Sequence, residues 1–188
     1  EIGVRLVGSE MCIRDRLESI ARVLGKGEDV SSYHAMRRRI LSRFNQKFFH
    51  ADENQYAAGS QASNVCALLL GMVPSGKSDQ VLANLVTDIK DRQGMHLTTG
   101  NQCTKYVMDV LTLYGHIDVA FALASQTSYP SWGYMLENGG TTIWERWERA
   151  STGLVTECCS QSHPMNASID AWFYKYLLAV SYTHLRAH

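Results

Sequence analysis

A carboxylate stands between two indoles in Trp144-Glu145-Arg146-Trp147, and a second, Glu148, follows at once. Gly139-Gly140 and a third carboxylate, Glu137, precede them, with Trp132 and Tyr134 just upstream. Aromatic faces beside carboxylates suit carbohydrate. A pyranose ring offers flat C–H patches to stack on, and hydroxyls to hydrogen-bond. Cleaving its glycosidic bond takes carboxyl groups as acid and base. The same residues also fit a plain structural role, with indoles buried at a helix end and glutamates in solvent.

Glu145 is the leading candidate among the three acids. Flanking by Trp144 and Trp147 would shield and orient it, and shielding makes a carboxylate a better base. The alternative is a surface ion pair with Arg146 or Arg149. Glu148 lies beside Glu145 if the segment is helical, and opposite to it if extended. Trp132, Trp144 and Tyr134 are either sugar platforms or core. Gln61, at the start of a helix, either touches a ligand or satisfies backbone groups.

The long stretch Tyr129-Pro130-Ser131-Trp132-Gly133-Tyr134-Met135, then Asn138-Gly139-Gly140-Thr141-Thr142-Ile143-Trp144-Glu145-Arg146-Trp147, resembles the bacterial α-L-rhamnosidase family. That family usually carries Gly-Ala-Thr-Thr where this chain has Gly139-Gly140-Thr141-Thr142. Its catalytic domain is an (α/α)6 barrel that releases terminal rhamnose with inversion. The resemblance implies that Glu145 is the catalytic base, and makes rhamnose the sugar for which Trp144, Trp132 and Tyr134 are candidate platforms. Gln161-Ser162-His163-Pro164-Met165, followed by Trp172-Phe173-Tyr174, resembles a second family segment whose His hydrogen-bonds sugar hydroxyls. Ser162 replaces the usual Asn there, and Asn166-Ala167 stands where a Gly is common. His96-Leu97-Thr98-Thr99-Gly100 resembles a third, with His96 or Thr99 facing the site or capping a helix. The family's general acid lies in an acidic, Arg- and Trp-containing segment, and nothing in Leu17 to Gly94 matches it. The implied partner is a rhamnose-containing glycoside.

The elements that must position these residues read as helices. Leu17–Leu24 closes one helix, ended by Gly25 and Gly27. A long one runs from Glu28-Asp29, with Asp29 as cap, to about Phe49, and carries a stripe of Tyr33, Met36, Ile40, Phe44 and Phe48. Arg37-Arg38-Arg39 reads as its solvated face, with a basic contact patch as the alternative. Asp52–Gly59 reads as a polar loop. Ser60 caps a buried helix from Gln61 to about Met72. Further helices span Ser78–Arg92, about Asn101–Tyr114, Ile117–Ser125 and about Met165–Leu178. Their expected inward residues include Val81, Leu85, Ile89, Val107, Leu111, Leu113, Ile117, Phe121, Leu123, Ile169 and Trp172. Short Gly- and Pro-marked links join them. This is an all-α chain of antiparallel helix pairs, and both a solenoid and an α/α toroid fit it. The resemblance selects the toroid, with this chain as roughly its C-terminal half.

Composition narrows the function further. The 188 residues carry 18 Lys+Arg against 18 Asp+Glu, so no basic excess points to nucleic acid. The longest apolar run, Val65–Val73, is too short to span a bilayer. The five Cys lack C-x-x-C spacing, which argues against a zinc site or a disulfide framework. No cofactor motif is present. Residues 1–16 and 180–188 resemble translated sequencing-adaptor sequence, so 17–179 is the expected natural segment. Two other readings share the pattern. One is a different glycan-active toroid, such as a trehalase-like or unsaturated-glycan hydrolase. The other is a non-catalytic helical scaffold that binds a protein.

Overall fold

The structure is a computed structural model that describes residues 16–148 and 160–178. The adaptor-like ends lie outside the described residues, apart from Arg16. Residues 16–23 are helical. Gly25, at φ +68°, ends that turn, and the Lys26 N–H closes back on the Ala21 carbonyl at 2.9 Å.

Helix α1 spans Gly27–Phe48. Lys26 stands at its N-cap with no side-chain cap bond, and Glu28 and Asp29 lie in the first turn, so Asp29 is not the cap expected of it. The acids act there on the positive end of the helix dipole. Of the apolar stripe, Phe44 alone is buried. The rest is half covered, because only the C-terminal part of α1 meets the core.

The segment read as a polar loop, Asp52–Gly59, carries one strand of a short hairpin whose other strand lies just before it. Strands β1 (Phe49–His50) and β2 (Gln55–Tyr56) pair antiparallel, with Phe49 opposite Tyr56. Two-residue strands are too short for alternation to register in sequence. What holds the hairpin is Tyr56. It is 1% exposed and its ring stacks on Phe44 at 5.7 Å. Its hydroxyl donates to Asn45 Oδ1 at 2.7 Å and lies 3.1 Å from the Met72 carbonyl.

Burial pushes the Tyr56 phenol far above its ordinary value of 10. The unfolded chain therefore releases this proton near pH 10 while the folded chain keeps it, and stability falls as pH rises above 10. Tyr56→Phe should cost about 1–2 kcal/mol at pH 8 through the lost hydrogen bonds. Urea denaturation at pH 8 and pH 11 should show that difference shrinking at the higher pH.

Helix α2 (Gln61–Leu69) starts as expected, with Ser60 Oγ accepting from the Ser63 N–H at 3.2 Å. None of its residues is exposed. Helix α3 (Ser78–Thr87) runs on into a π turn, Asp88–Arg92, which brings Asp88 and Ile89 inward together. Gly94 and Met95, both at positive φ, then reverse the chain. Helix α4 (Asn101–Leu113) packs against α2 and against α5 (Ile117–Ala124). Helix α6 (Trp132–Glu137) is a further short element not read from the sequence as a helix. Helix α7 (Ser168–Trp172) lies on α4 and continues as a π turn, Phe173–Leu177.

The core runs from Phe44 and Tyr56 through Val65, Leu85, Val107 and Leu111 to Ile169 and Trp172. Three residues expected inward are not: Leu113 is 64% exposed, Phe121 52% and Ile117 40%. Helix α5 instead turns Val119, Ala120 and Leu123 inward. An octapeptide so rich in apolar residues offers two possible stripes, and packing against α4 selects one. Among the described residues no helix is long and apolar enough to cross a membrane.

Candidate active site

The loops leading into α4, α6 and α7 are tied into one cluster; His96, Thr99, Trp144, Glu145 and His163 sit on irregular segments of it, and Trp132 and Tyr134 on α6 itself. Helix α6 begins at Ser131, whose hydroxyl accepts from the Tyr134 N–H at 2.9 Å. Close approach fixes its seat. A Cβ on Gly133 would lie 2.3 Å from the Gln126 carbonyl oxygen, so only glycine fits. The chain enters α6 through the cis Tyr129–Pro130 peptide and leaves it at Gly139, at φ +79°.

Beyond α6 the chain runs irregularly past a second segment, 160–166. The His163 N–H donates to the Ile143 carbonyl at 2.8 Å, and the Glu145 N–H to the Ser160 carbonyl at 2.9 Å. Thr142 Oγ1 donates to the Gln161 carbonyl. Glu145 and His163 are thereby carried on two neighbouring, hydrogen-bonded segments. The Glu145 side chain is half-buried, and its Oε2 accepts the Ser160 N–H at 2.9 Å. Arg146 pairs with Glu148 at 3.7 Å, so the ion pair weighed for Glu145 with that arginine goes to its neighbour. Arg149, the other partner weighed, lies outside the described residues. Glu137 is exposed on α6.

The indoles of Trp132 and Trp144 are buried in this arrangement. Trp132 is 5% exposed and Trp144 4%, which leaves neither ring an open face. Trp132 meets Trp147 edge-on at 5.2 Å and donates its indole N–H to the Asn166 carbonyl at 2.8 Å. Trp144 lies over Gly140, where a Cβ would stand 3.2 Å from the ring and 2.7 Å from the Met135 carbonyl. Of the two roles weighed for these indoles, core is the one that burial favours. Tyr134 remains half-exposed and meets Tyr129 edge-on at 5.2 Å. Burial and the Glu148 carboxylate hold the Tyr129 phenol above its ordinary value of 10.

Gln61 satisfies backbone and side-chain groups. Its amide donates to Asp88 and to the His96 carbonyl, both at 3.1 Å, and accepts from the Thr98 N–H at 2.9 Å. The cap of α4 is Gly100, with no side-chain bond, so neither His96 nor Thr99 caps it. His96 instead bridges Ser128 Oγ at 2.8 Å and the Gln93 carbonyl at 3.0 Å. Thr99 is buried, and its carbonyl takes the Trp147 indole N–H at 3.4 Å. One residue of this cluster read in the sequence only as a departure from a family glycine. Asn166 is wholly buried, and its amide donates to the carbonyls of Trp144 and Glu145. Among the described residues no group of three or more His, Cys, Asp or Glu is placed to hold a metal ion.

Comparison with known proteins identifies the family and the fold. Residues 11–177 match the model for the bacterial alpha-L-rhamnosidase 6 hairpin glycosidase domain. An alpha-L-rhamnosidase of Streptomyces avermitilis is 32% identical over 158 residues, 82% of this chain and 15% of the relative. One from Formosa agariphila is 29% identical over 164 residues, 86% of this chain and 18% of the relative. Among solved structures, the alpha-L-rhamnosidase from Dictyoglumus thermophilum superposes with a TM-score of 0.76 at 45% identity, over 85% of this chain and 18% of that one. The Streptomyces avermitilis enzyme complexed with L-rhamnose gives 0.76 at 31% identity, over 86% of this chain and 16% of that one. The chain thus spans less than a fifth of the length of these proteins. Its helical hairpins are part of an α/α toroid.

Proposed function

This chain belongs to the family of the bacterial α-L-rhamnosidase six-hairpin glycosidase domain, and we propose that it supplies the general-base side of an inverting α-L-rhamnosidase. The carrying observation is Glu145 itself. Its carboxylate is half-buried and oriented by the Ser160 N–H, on a segment joined by a backbone hydrogen bond to the one bearing His163. Arg146, the adjacent cation, is turned to Glu148.

The chemistry follows from one base and an acid contributed from outside this chain. Glu145 takes a proton from water, and the water oxygen attacks the anomeric carbon. The C–O bond to the aglycone breaks on the opposite face, and its oxygen takes a proton from the acid. Inversion requires the two carboxyls about 6.5–9.5 Å apart, so that water fits between Glu145 and the sugar. His163 hydrogen-bonds sugar hydroxyls, and Tyr134 offers an aromatic edge at the rim. Trp132 and Trp144 hold the wall behind the base. The substrate is a glycoside with terminal α-L-rhamnose.

The test is a chimera in which residues 16–178 replace the matching part of the Dictyoglumus thermophilum enzyme. It should release L-rhamnose from an aryl α-L-rhamnoside, with the β anomer first in the NMR spectrum. The chain alone, without the acid, should be slower by at least about 10²–10⁴-fold. First appearance of the α anomer would overturn inversion. Comparable release by the chain alone would overturn the division of acid from base.

A further inference from the structure

We infer that Asn166 is a positioning residue for Glu145, acting through the backbone rather than on substrate. This rests on the reading of Glu145 as the base. The Asn166 side chain is 0% exposed. Its amide nitrogen donates to two consecutive carbonyls, Trp144 at 3.0 Å and Glu145 at 3.2 Å. Both neighbours are acceptors, so the nitrogen has to face them and the amide orientation is determined. Its own backbone carbonyl takes the Trp132 indole N–H at 2.8 Å. One residue therefore joins the wall of the cluster to the peptide that carries the base.

Glu145 is held at three points: its N–H, its carboxylate and its carbonyl. The first two contacts go to Ser160, which is exposed, so water competes for both. The third goes to the buried Asn166 amide in a part-buried contact, beside the fully buried bond to the Trp144 carbonyl, so water competes less there and a hydrogen bond is electrostatically stronger. Asn166 is thus the anchor that sets where the base stands along its segment. A shift of about 1 Å in a catalytic group can cost on the order of 10²-fold in rate. The neutral amide is also the suitable donor here. A carboxylate in its place would face two carbonyl oxygens with no proton to give, and would add a like charge near the base.

Two measurements test this. In the full chain, amide hydrogen exchange at Glu145 and His163 should quicken in Asn166→Asp, while Val65 and Leu85 in the core stay protected. Uniform quickening would mean a merely structural role, and no change would mean no role. In the chimera, Asn166→Ala and Asn166→Asp should lower kcat by about 10–10²-fold with KM nearly unchanged. The rate of Asn166→Asp relative to the parent should rise as pH falls, since the protonated acid regains one donor. Added to Glu145→Gln, either change should cost nothing more, because a misplaced base cannot matter once the base is gone. Additive losses would overturn the inference while leaving Glu145 as the base. Full activity of Glu145→Gln alone would overturn both.

Discussion

Glu145→Gln in the chimera should lower kcat by about 10²–10⁴-fold, some 3–5 kcal/mol of barrier, with KM changed little. Glutamine keeps the size of the side chain and an oxygen able to accept the Ser160 N–H, so the segment stays folded. What it loses is the capacity to take a proton from water. The loss should therefore be confined to the step in which water must be deprotonated. Azide needs no deprotonation. In Glu145→Ala, where the missing carboxylate leaves room, azide should restore turnover and yield the β-rhamnosyl azide, with the aglycone leaving from the opposite face. Rescue to the α-azide would mean attack from the wrong side. Undiminished activity in Glu145→Gln, with the same loss in Glu148→Gln, would move the base three residues along. Steady-state kinetics on an aryl rhamnoside and NMR of the azide product decide between these.

Trp132→Ala should destabilise the full chain by about 3–5 kcal/mol, the range for emptying a buried aromatic site. The ring is 5% exposed and packs edge-on against Trp147. Its N–H is also the donor to the Asn166 carbonyl. Trp132→Phe separates the two contributions. It keeps much of the packing but leaves that carbonyl without its donor, at about 1–3 kcal/mol. Urea denaturation of the three proteins gives both numbers. A loss below about 1 kcal/mol for Trp132→Ala would show that the indole is not part of the wall.

Much of this protein was legible in the order of its residues, because the signals concerned are local. Ser60 ahead of a uniformly apolar run marks the start of α2, since an N-cap needs only a side-chain oxygen three residues before a free N–H. Gly25 marks the end of the first helical turn for an equally local reason, its left-handed backbone. Val81, Leu85 and Ile89 keep helical spacing through α3 and the π turn that continues it, and are buried, because that stretch has one apolar face and no rival to it. The family followed from the long segment around Trp144-Glu145-Arg146-Trp147, in which the order of residue types is itself distinctive.

Tertiary structure decided the rest, wherever two elements had to meet. Phe121 and Leu113 obey the same spacing rules as the buried residues yet face outward, because burial depends on what lies opposite and periodicity is silent about that. The Phe49–Tyr56 hairpin exists because Tyr56 reaches Asn45 and the Met72 carbonyl, not because its four strand residues alternate. Trp144 and Glu145 are adjacent in sequence but meet different fates, one sealed over Gly140 and the other turned to Ser160. Asn166 read as a departure from a glycine pattern. Its importance came from carbonyls 21 and 22 residues away, and a hydrogen bond across that span exists only once the chain has folded back on itself.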